Sequence, residues 1–174
     1  LGSWTLLERD VLLCASRCSS AFRNGEIQFV EDKLTPPTRA SLKLWEALTV
    51  LGERPEPGDR CLDLGSSPGG WTWVLQQLGA KVVSVDKAPL HERIAQLPRI
   101  DFRQESAFGL DPRQFERIDW LFCDIACYPK RLLELLRRWL ESGVCRRFVC
   151  TIKLQGDLRE RGDRDILQAF ASIP

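Results

Sequence analysis

The stretch CLDLGSSPGGWTWVLQQLG, residues 61–79, constrains the fold more than any other part of the chain. A short apolar run broken only by Asp63 leads into a turn holding Gly65, Pro68, Gly69 and Gly70, and then into a helix-length segment closed by Gly79. The next segment, AKVVSVD, reads as a second strand ending on Asp86. Strand, glycine turn, helix and strand make one β-α-β unit, whose first turn lies at the edge of the sheet where ligands bind.

The rest of the chain extends this unit. TRASLKLWEALTVLG places Leu42, Trp45, Leu48 and Leu51 on a helical stripe, with Thr38 as the N-cap and Gly52 beyond the end. RIDFRQ reads as a weak third strand and RIDWLFCDI as a strong fourth. PKRLLELLRRWLESG is a helix opened by Pro129 and followed by Gly143, RRFVCTIKL is a fifth strand, and DRDILQAFASI is a final helix. Strands alternating with helices predict a doubly wound, mostly parallel α/β sheet with helices on both faces. Residues 1–37, ending in Pro36 and Pro37, read as an arm or the remnant of a preceding domain, and residues 38–174 as the α/β domain. The sequence stops directly after the last helical segment, so the α/β domain is expected to be truncated at its C-terminus.

With 174 residues, 44% of them hydrophobic and 28% charged, the chain suits a globular domain. Its apolar runs are strand-length and broken by charge, and its start lacks a secretory signal, which together predict a cytoplasmic protein without a membrane span. Seven cysteines, several inside apolar strand segments, fit a reducing compartment. With His91 as the single histidine and no C-x-x-C pair, no metal is expected. A net charge of +1 does not by itself mark a nucleic-acid binder, so local clusters must carry that argument.

The glycine turn is spaced G-x-x-P-G-G rather than G-x-G-x-x-G, and Pro68 has no N–H to offer a phosphate. An acidic residue ending the next strand, here Asp86, can accept hydrogen bonds from ribose hydroxyls. A ligand with a ribose and no phosphate fits this loop, and S-adenosylmethionine is such a ligand. The candidate contacts are Asp63, Gly65, Ser67, Pro68, Gly69, Gly70, Trp71, Asp86 and Asp124, with Glu105 and Ser106 at the adenine edge. Trp71 and Trp73 also suit a core.

TRASLKLWEAL, DLGSSPGGW, SVDKAP, CDI and TIKLQG, in this order and spacing over roughly residues 31–156, resemble the FtsJ-like ribose 2′-O-methyltransferases. The resemblance is closest to the RlmM-like branch, which modifies large-subunit ribosomal RNA. It implies a Rossmann-like S-adenosylmethionine-dependent methyltransferase fold, a ribosomal RNA substrate and a catalytic Lys-Asp-Lys-Glu set. Motif by motif, RASLKL supplies Lys43, FCDI supplies Asp124 and TIKLQG supplies Lys153. The glutamate has no match. Glu160 follows Lys153 too soon, so the fourth member either lies beyond Pro174, the favoured reading, or has been lost.

From the residues alone, Lys43 precedes the first strand of the unit while Asp124 and Lys153 end two later strands, so all three can project over one sheet edge. Lys153 would then accept the proton of a 2′-hydroxyl or hydrogen-bond its oxygen, with Asp124 orienting that lysine. Arg39 and Lys43 are the candidate RNA contacts, whereas Arg137, Arg138, Arg146 and Arg147 lie toward the opposite edge as a solvated face. Tight binding of a large RNA is expected to need a further RNA-binding domain outside this segment. Two alternatives remain open: a methyltransferase acting on a base, protein or small molecule, suggested by Cys123 and Cys127, and a cofactor-binding RNA module without turnover, suggested by the missing glutamate. An NAD-linked dehydrogenase is disfavoured by the loop spacing.

Overall fold

The computed structural model describes residues 2–22, 25–32, 34–154 and 161–173. They form two compact units, Leu1–Glu31 and Asp32–Pro174. The first holds an antiparallel hairpin of β1 (Ser3–Leu6) and β2 (Leu12–Ala15), with Ser3 opposite Ala15 and Leu6 opposite Leu12.

The second unit contains α1 (Ala40–Leu51), β3 (Arg60–Leu64), α2 (Gly70–Gln77), β4 (Lys81–Asp86), α3 (Glu92–Ala95), β5 (Ile100–Gln104), β6 (Trp120–Cys123), α4 (Pro129–Glu141), β7 (Phe148–Cys150) and α5 (Arg161–Ala171). Its five strands run in the order β5-β4-β3-β6-β7, and every pairing is parallel. The chain therefore winds outward from β3 through β4 to β5, then returns to the other side of β3 for β6 and β7. This is the doubly wound α/β sheet that the sequence predicts, and its order reverses between β3 and β6. α1 and α2 cover one face through Leu44, Leu48, Trp71, Val74 and Leu75. α4 covers the other through Leu132, Leu135, Leu136 and Trp139, with Phe170 of α5 packed on the same cluster.

Two local readings are corrected. Thr38 does not occupy the N-cap, which is Arg39. Thr38 sits one residue earlier, where its hydroxyl accepts from the amide of Ala40 at 3.3 Å. The buried stripe of α1 is Ser41, Leu44 and Leu48, not Leu42, Trp45, Leu48 and Leu51. At about 100° per residue, three successive steps of three residues turn a stripe by about 180°, so Leu51 faces away from Leu42. Leu51 is 55% exposed and Leu44 is fully buried.

A buried polar cluster ties α2 to the sheet behind the glycine turn. The Thr72 hydroxyl donates to Asp63 Oδ2 at 2.6 Å and shares a hydrogen bond with the Ser84 hydroxyl, joining α2, β3 and β4. Asp63 is 1% exposed, and its Oδ1 has no hydrogen-bond partner. Burial, opposed by the Thr72 hydrogen bond and reinforced by the charges of Asp124 and Asp86, pushes its carboxyl up to about 7.

Two measurements follow from this packing. Leu44→Ala is expected to cost about 2–5 kcal/mol in urea unfolding, whereas Leu51→Ala stays within about 0.5 kcal/mol; equal losses would refute the stripe. Asp63 has a folded-state pKa above the ~3.9 of an unfolded chain, so its contribution to stability is complete below that value and is lost as pH rises through the folded value. Wild-type stability should therefore fall between about pH 5 and about pH 8 more steeply than that of Asp63→Asn, which keeps an acceptor for Thr72 without the charge. Parallel pH profiles for the two proteins would show that Asp63 is not titrating across this range.

Candidate cofactor and active site

The loops that follow β3 and β6 leave neighbouring parallel strands in the same direction and touch. Gly65 has φ +79°, and a Cβ there would lie 2.5 Å from Ile125 Cγ1 and 3.1 Å from the Ile125 Cα. Only glycine fits both the backbone conformation and the close approach. Gly69 is a second such point, with φ +115° and its absent Cβ 2.8 Å from Ile94 Cγ2.

The glycine loop is held by its own backbone. The amides of Gly65 and Ser66 both donate to the Val85 carbonyl, at 2.9 and 3.3 Å, and the Ser67 amide donates to Asp86 Oδ2 at 3.0 Å. Pro68 has no amide hydrogen, and its peptide bond with Ser67 is cis. Four consecutive residues thus offer no free N–H to a phosphate, and the backbone that would bind a pyrophosphate in a dinucleotide site is here spent on the fold. Asp86 Oδ1 accepts from Ala88 N at 2.9 Å, which fixes the carboxylate at the end of β4.

Beside these loops lies a cavity of about 580 Å³. Of the residues selected from the sequence, Gly65, Ser67, Pro68, Gly70, Trp71, Asp86, Glu105, Ser106, Asp124 and Lys153 line it. Four selected residues do not, Lys43 among them. Asp63 lies beneath the loop in the Thr72 cluster, Gly69 packs against Ile94, and Arg39 caps α1 outside the lining. Trp71 serves both roles: it lines the cavity, is 4% exposed in the core, and donates from Nε1 to the Ala40 carbonyl at 2.9 Å.

Ser66, Lys87, Phe108 and Arg131 line the cavity without having been singled out from the sequence. Ser66 and Lys87 adjoin motif residues and could have been found by that adjacency. Phe108 and Arg131 meet only in the folded chain, where the Arg131 guanidinium lies 3.8 Å above the Phe108 ring. The Ser66 hydroxyl is buried with no hydrogen-bond partner. An unpaired buried hydroxyl on the cavity wall suits a ligand with a polar end.

Lys43, Asp124 and Lys153 converge. Lys43 Nζ donates to Asp124 Oδ2 at 3.0 Å, and Lys153 Nζ donates to the Asp124 carbonyl at 2.8 Å while lying 3.2 Å from Oδ1. Oδ1 is buried and makes no hydrogen bond of ordinary geometry, so its contact with Lys153 is an ion pair. Burial alone would raise the Asp124 carboxyl. The hydrogen bond from Lys43 and the charge of Lys153 outweigh it and hold the group below the usual carboxylate range. Asp124 sits one residue past β6, and Lys153 three residues past β7 in an extended segment whose Thr151 amide bonds the Cys123 carbonyl at 2.9 Å. Lys43 reaches Asp124 from α1 without lining the cavity. Glu160 lies outside the described residues, as do Gln155 and Gly156 of TIKLQG.

Cys123 is fully buried in the core, and burial pushes its thiol up. Burial also raises Cys127, against the opposing charges of Arg131 and Lys153. Both shifts run away from the thiolate that base-directed covalent chemistry requires. Among the described residues, no group of three or more His, Cys, Asp or Glu could hold a metal ion, and no helix is long and apolar enough to cross a membrane.

The FtsJ-like methyltransferase family model matches residues 37–162. A protein named ribosomal RNA large subunit methyltransferase M from Halorhodospira halophila is 39% identical over 121 residues, covering 68% of this chain and 35% of that protein. Its namesake from Xanthomonas campestris pv. campestris is 39% identical over 156 residues, covering 85% of this chain and 44% of the relative. The chain thus spans less than half the length of these relatives. Among solved structures, a chain from Streptococcus thermophilus described as a hemolysin aligns with TM-score 0.63 at 24% identity, covering 81% of this chain and 57% of that one. A chain from Plasmodium falciparum described as a ribosomal RNA methyltransferase aligns with TM-score 0.56 at 17% identity, covering 76% and 84%. Both structural likenesses concern the fold. With the family model spanning the glycine loop, Asp124 and Lys153 in one match, the chain belongs to the FtsJ-like methyltransferases.

Proposed function

We propose that this domain binds S-adenosylmethionine in the cavity between the loops after β3 and β6, and methylates a ribose 2′-hydroxyl of RNA. The observation that carries the reading is the convergence of two ammonium groups on Asp124 beside a glycine loop with no free amides at Gly65, Ser66 and Ser67. The relatives' shared name supports ribosomal RNA of the large subunit as the substrate. Their greater length leaves room for a further RNA-binding domain in the whole protein. An RNA substrate and seven free cysteines suit the cytoplasm.

Asp86 would hold the ribose hydroxyls of the cofactor, Glu105 and Ser106 its adenine edge, and the Gly65–Gly70 loop its amino-acid end, where the unpaired Ser66 hydroxyl waits for an acceptor. When bound, S-adenosylmethionine supplies a methyl group made electrophilic by its sulfonium. The chain must then position the hydroxyl and manage its proton. Lys153, on the cavity wall, would hydrogen-bond the attacking oxygen, and would take up the proton that it sheds only as the neutral amine, after its own ammonium proton has gone to solvent. Asp124 holds Lys153 through both its carbonyl and its carboxylate, and Lys43 keeps that carboxylate charged. Arg39 and Lys43 on α1 would meet the RNA backbone.

The test is methyl transfer by the full-length protein, with Lys153→Ala assayed alongside. Removal of a positioned acid–base group is expected to lower turnover by roughly a hundredfold or more, with binding of S-adenosylhomocysteine retained. RNA carrying 2′-deoxyribose at the target should accept no methyl group. Turnover by Lys153→Ala at the wild-type rate would remove its assigned role, and methylation of the deoxy substrate would move the target from ribose to base. Cofactor binding with no transfer to any RNA would identify a non-catalytic module.

A further inference from the structure

The loop after β6 leads from Asp124 through Cys127 to Tyr128, the N-cap of α4. Tyr128 is the one exposed Phe, Trp or Tyr among the described residues of the Asp32–Pro174 unit, at 67% exposure. Its backbone is held rigidly: the carbonyl accepts from the amides of Arg131 and Leu132, at 3.0 and 3.2 Å, and Pro129, which follows it, is buried at the first helical position. Among the described residues, no aromatic ring packs against its own. A single exposed aromatic is ordinary on a protein surface. This one stands four residues from the carboxylate that gathers both lysines.

Three residues on, at the third position of α4, Arg131 lines the cavity. Its guanidinium rests on the Phe108 ring, and no carboxylate among the described residues forms an ion pair with it. Stacking on the ring fixes the side chain's direction and leaves its N–H groups free to donate. An exposed aromatic face at the N-cap of α4 and, three residues on, a planar cation on the cavity wall match the two chemical surfaces of an unpaired nucleotide, a flat base and a phosphate.

Building on the RNA reading above, we infer that Tyr128 and Arg131 form a subsite for one unpaired nucleotide of the substrate strand, its base stacked on the tyrosine ring and its phosphate held by the guanidinium. The subsite would anchor the strand beside Asp124, so that the neighbouring ribose is presented to Lys153.

The test uses the full-length protein and a fluorescein-labelled single-stranded oligoribonucleotide followed by anisotropy, with binding of S-adenosylhomocysteine and methyl transfer measured separately. Tyr128→Ala should weaken RNA binding roughly tenfold, while Tyr128→Phe and Tyr128→Trp, which keep a stacking face, stay within about twofold of wild type. Arg131→Gln should lower the slope of log affinity against log salt by about one, as expected for one lost phosphate contact. Binding of S-adenosylhomocysteine should be unchanged in the three Tyr128 variants. RNA affinity unaffected by Tyr128→Ala, an unchanged salt slope in Arg131→Gln, or parallel loss of RNA and S-adenosylhomocysteine binding in Tyr128→Ala would each overturn the subsite. Tyr128-dependent RNA binding by a protein that transfers no methyl group would overturn the enzymatic reading and leave the subsite standing. Failure of the wild type to bind RNA would overturn both.

Discussion

The contact between Gly65 and Ile125 is the constraint on which the rest of the site depends. Doubly winding a parallel sheet forces the chain to reverse its direction of travel, and the two strands flanking the reversal send their loops over the same edge. Here those loops meet with no room for a side chain at position 65. The Asp124 amide also approaches the Leu64 carbonyl, at 3.3 Å, so the end of β6 is registered against the end of β3 by backbone as well as by packing. A carboxylate placed immediately after β6 is thereby delivered to the glycine loop by topology, and Lys153 reaches it from the neighbouring strand β7.

Two aspartates close to this junction are driven in opposite directions. Asp63 lies inside β3 and has a threonine hydroxyl but no cation, so burial and the nearby carboxylates Asp124 and Asp86 press it toward its neutral form. Asp124 lies just past β6, and two ammonium groups overcome its burial and keep it ionised. The difference separates support from chemistry. Asp63 joins β3, α2 and β4 through Thr72 and Ser84, while Asp124 carries a full charge to the cavity edge. An acid that stays charged can fix the orientation of a lysine, whereas a buried acid pushed toward its neutral form contributes hydrogen bonds.

What was legible in the sequence is what strand and turn chemistry encode locally. The apolar runs around Leu62, Val83 and Phe122 announce buried parallel strands, the glycines announce the close approach at Gly65, and Asp124 and Lys153 stand just beyond strand ends, where an α/β sheet places its ligands. The buried face of α1 was harder to read, because Leu42, Trp45, Leu48 and Leu51 recur often enough to suggest a stripe that the helical repeat does not keep on one side. The hairpin β1–β2 has all eight of its residues exposed and so lacks the alternation that marks a strand with one face buried. The four-residue α3 is too short for periodicity to register. The pairing of Phe108 with Arg131 depends on how the segment after β5 packs beside α4, information that neither stretch carries alone.

A net charge of +1 is an imperfect guide to how such a domain meets RNA, because charges act over about 10 Å or less at physiological salt. Several cations are paired within the fold: Arg60 with Glu116, Arg103 with Asp101, Arg113 with Asp111 and Arg117 with Asp119. At the cavity the arithmetic differs. Lys43, Lys87, Arg131 and Lys153 stand against Asp86, Glu105 and Asp124, which leaves one positive charge over, and Arg131 has an aromatic ring in place of an acid. The local excess is small but sits where a phosphate would pass. On the proposed RNA reading, a surface of this kind would have little power to draw in a long polyanion from a distance, and its leverage would lie in holding one nucleotide at a defined orientation. That is the division of labour expected if the catalytic domain supplies geometry and the bulk of RNA affinity comes from elsewhere in a longer protein.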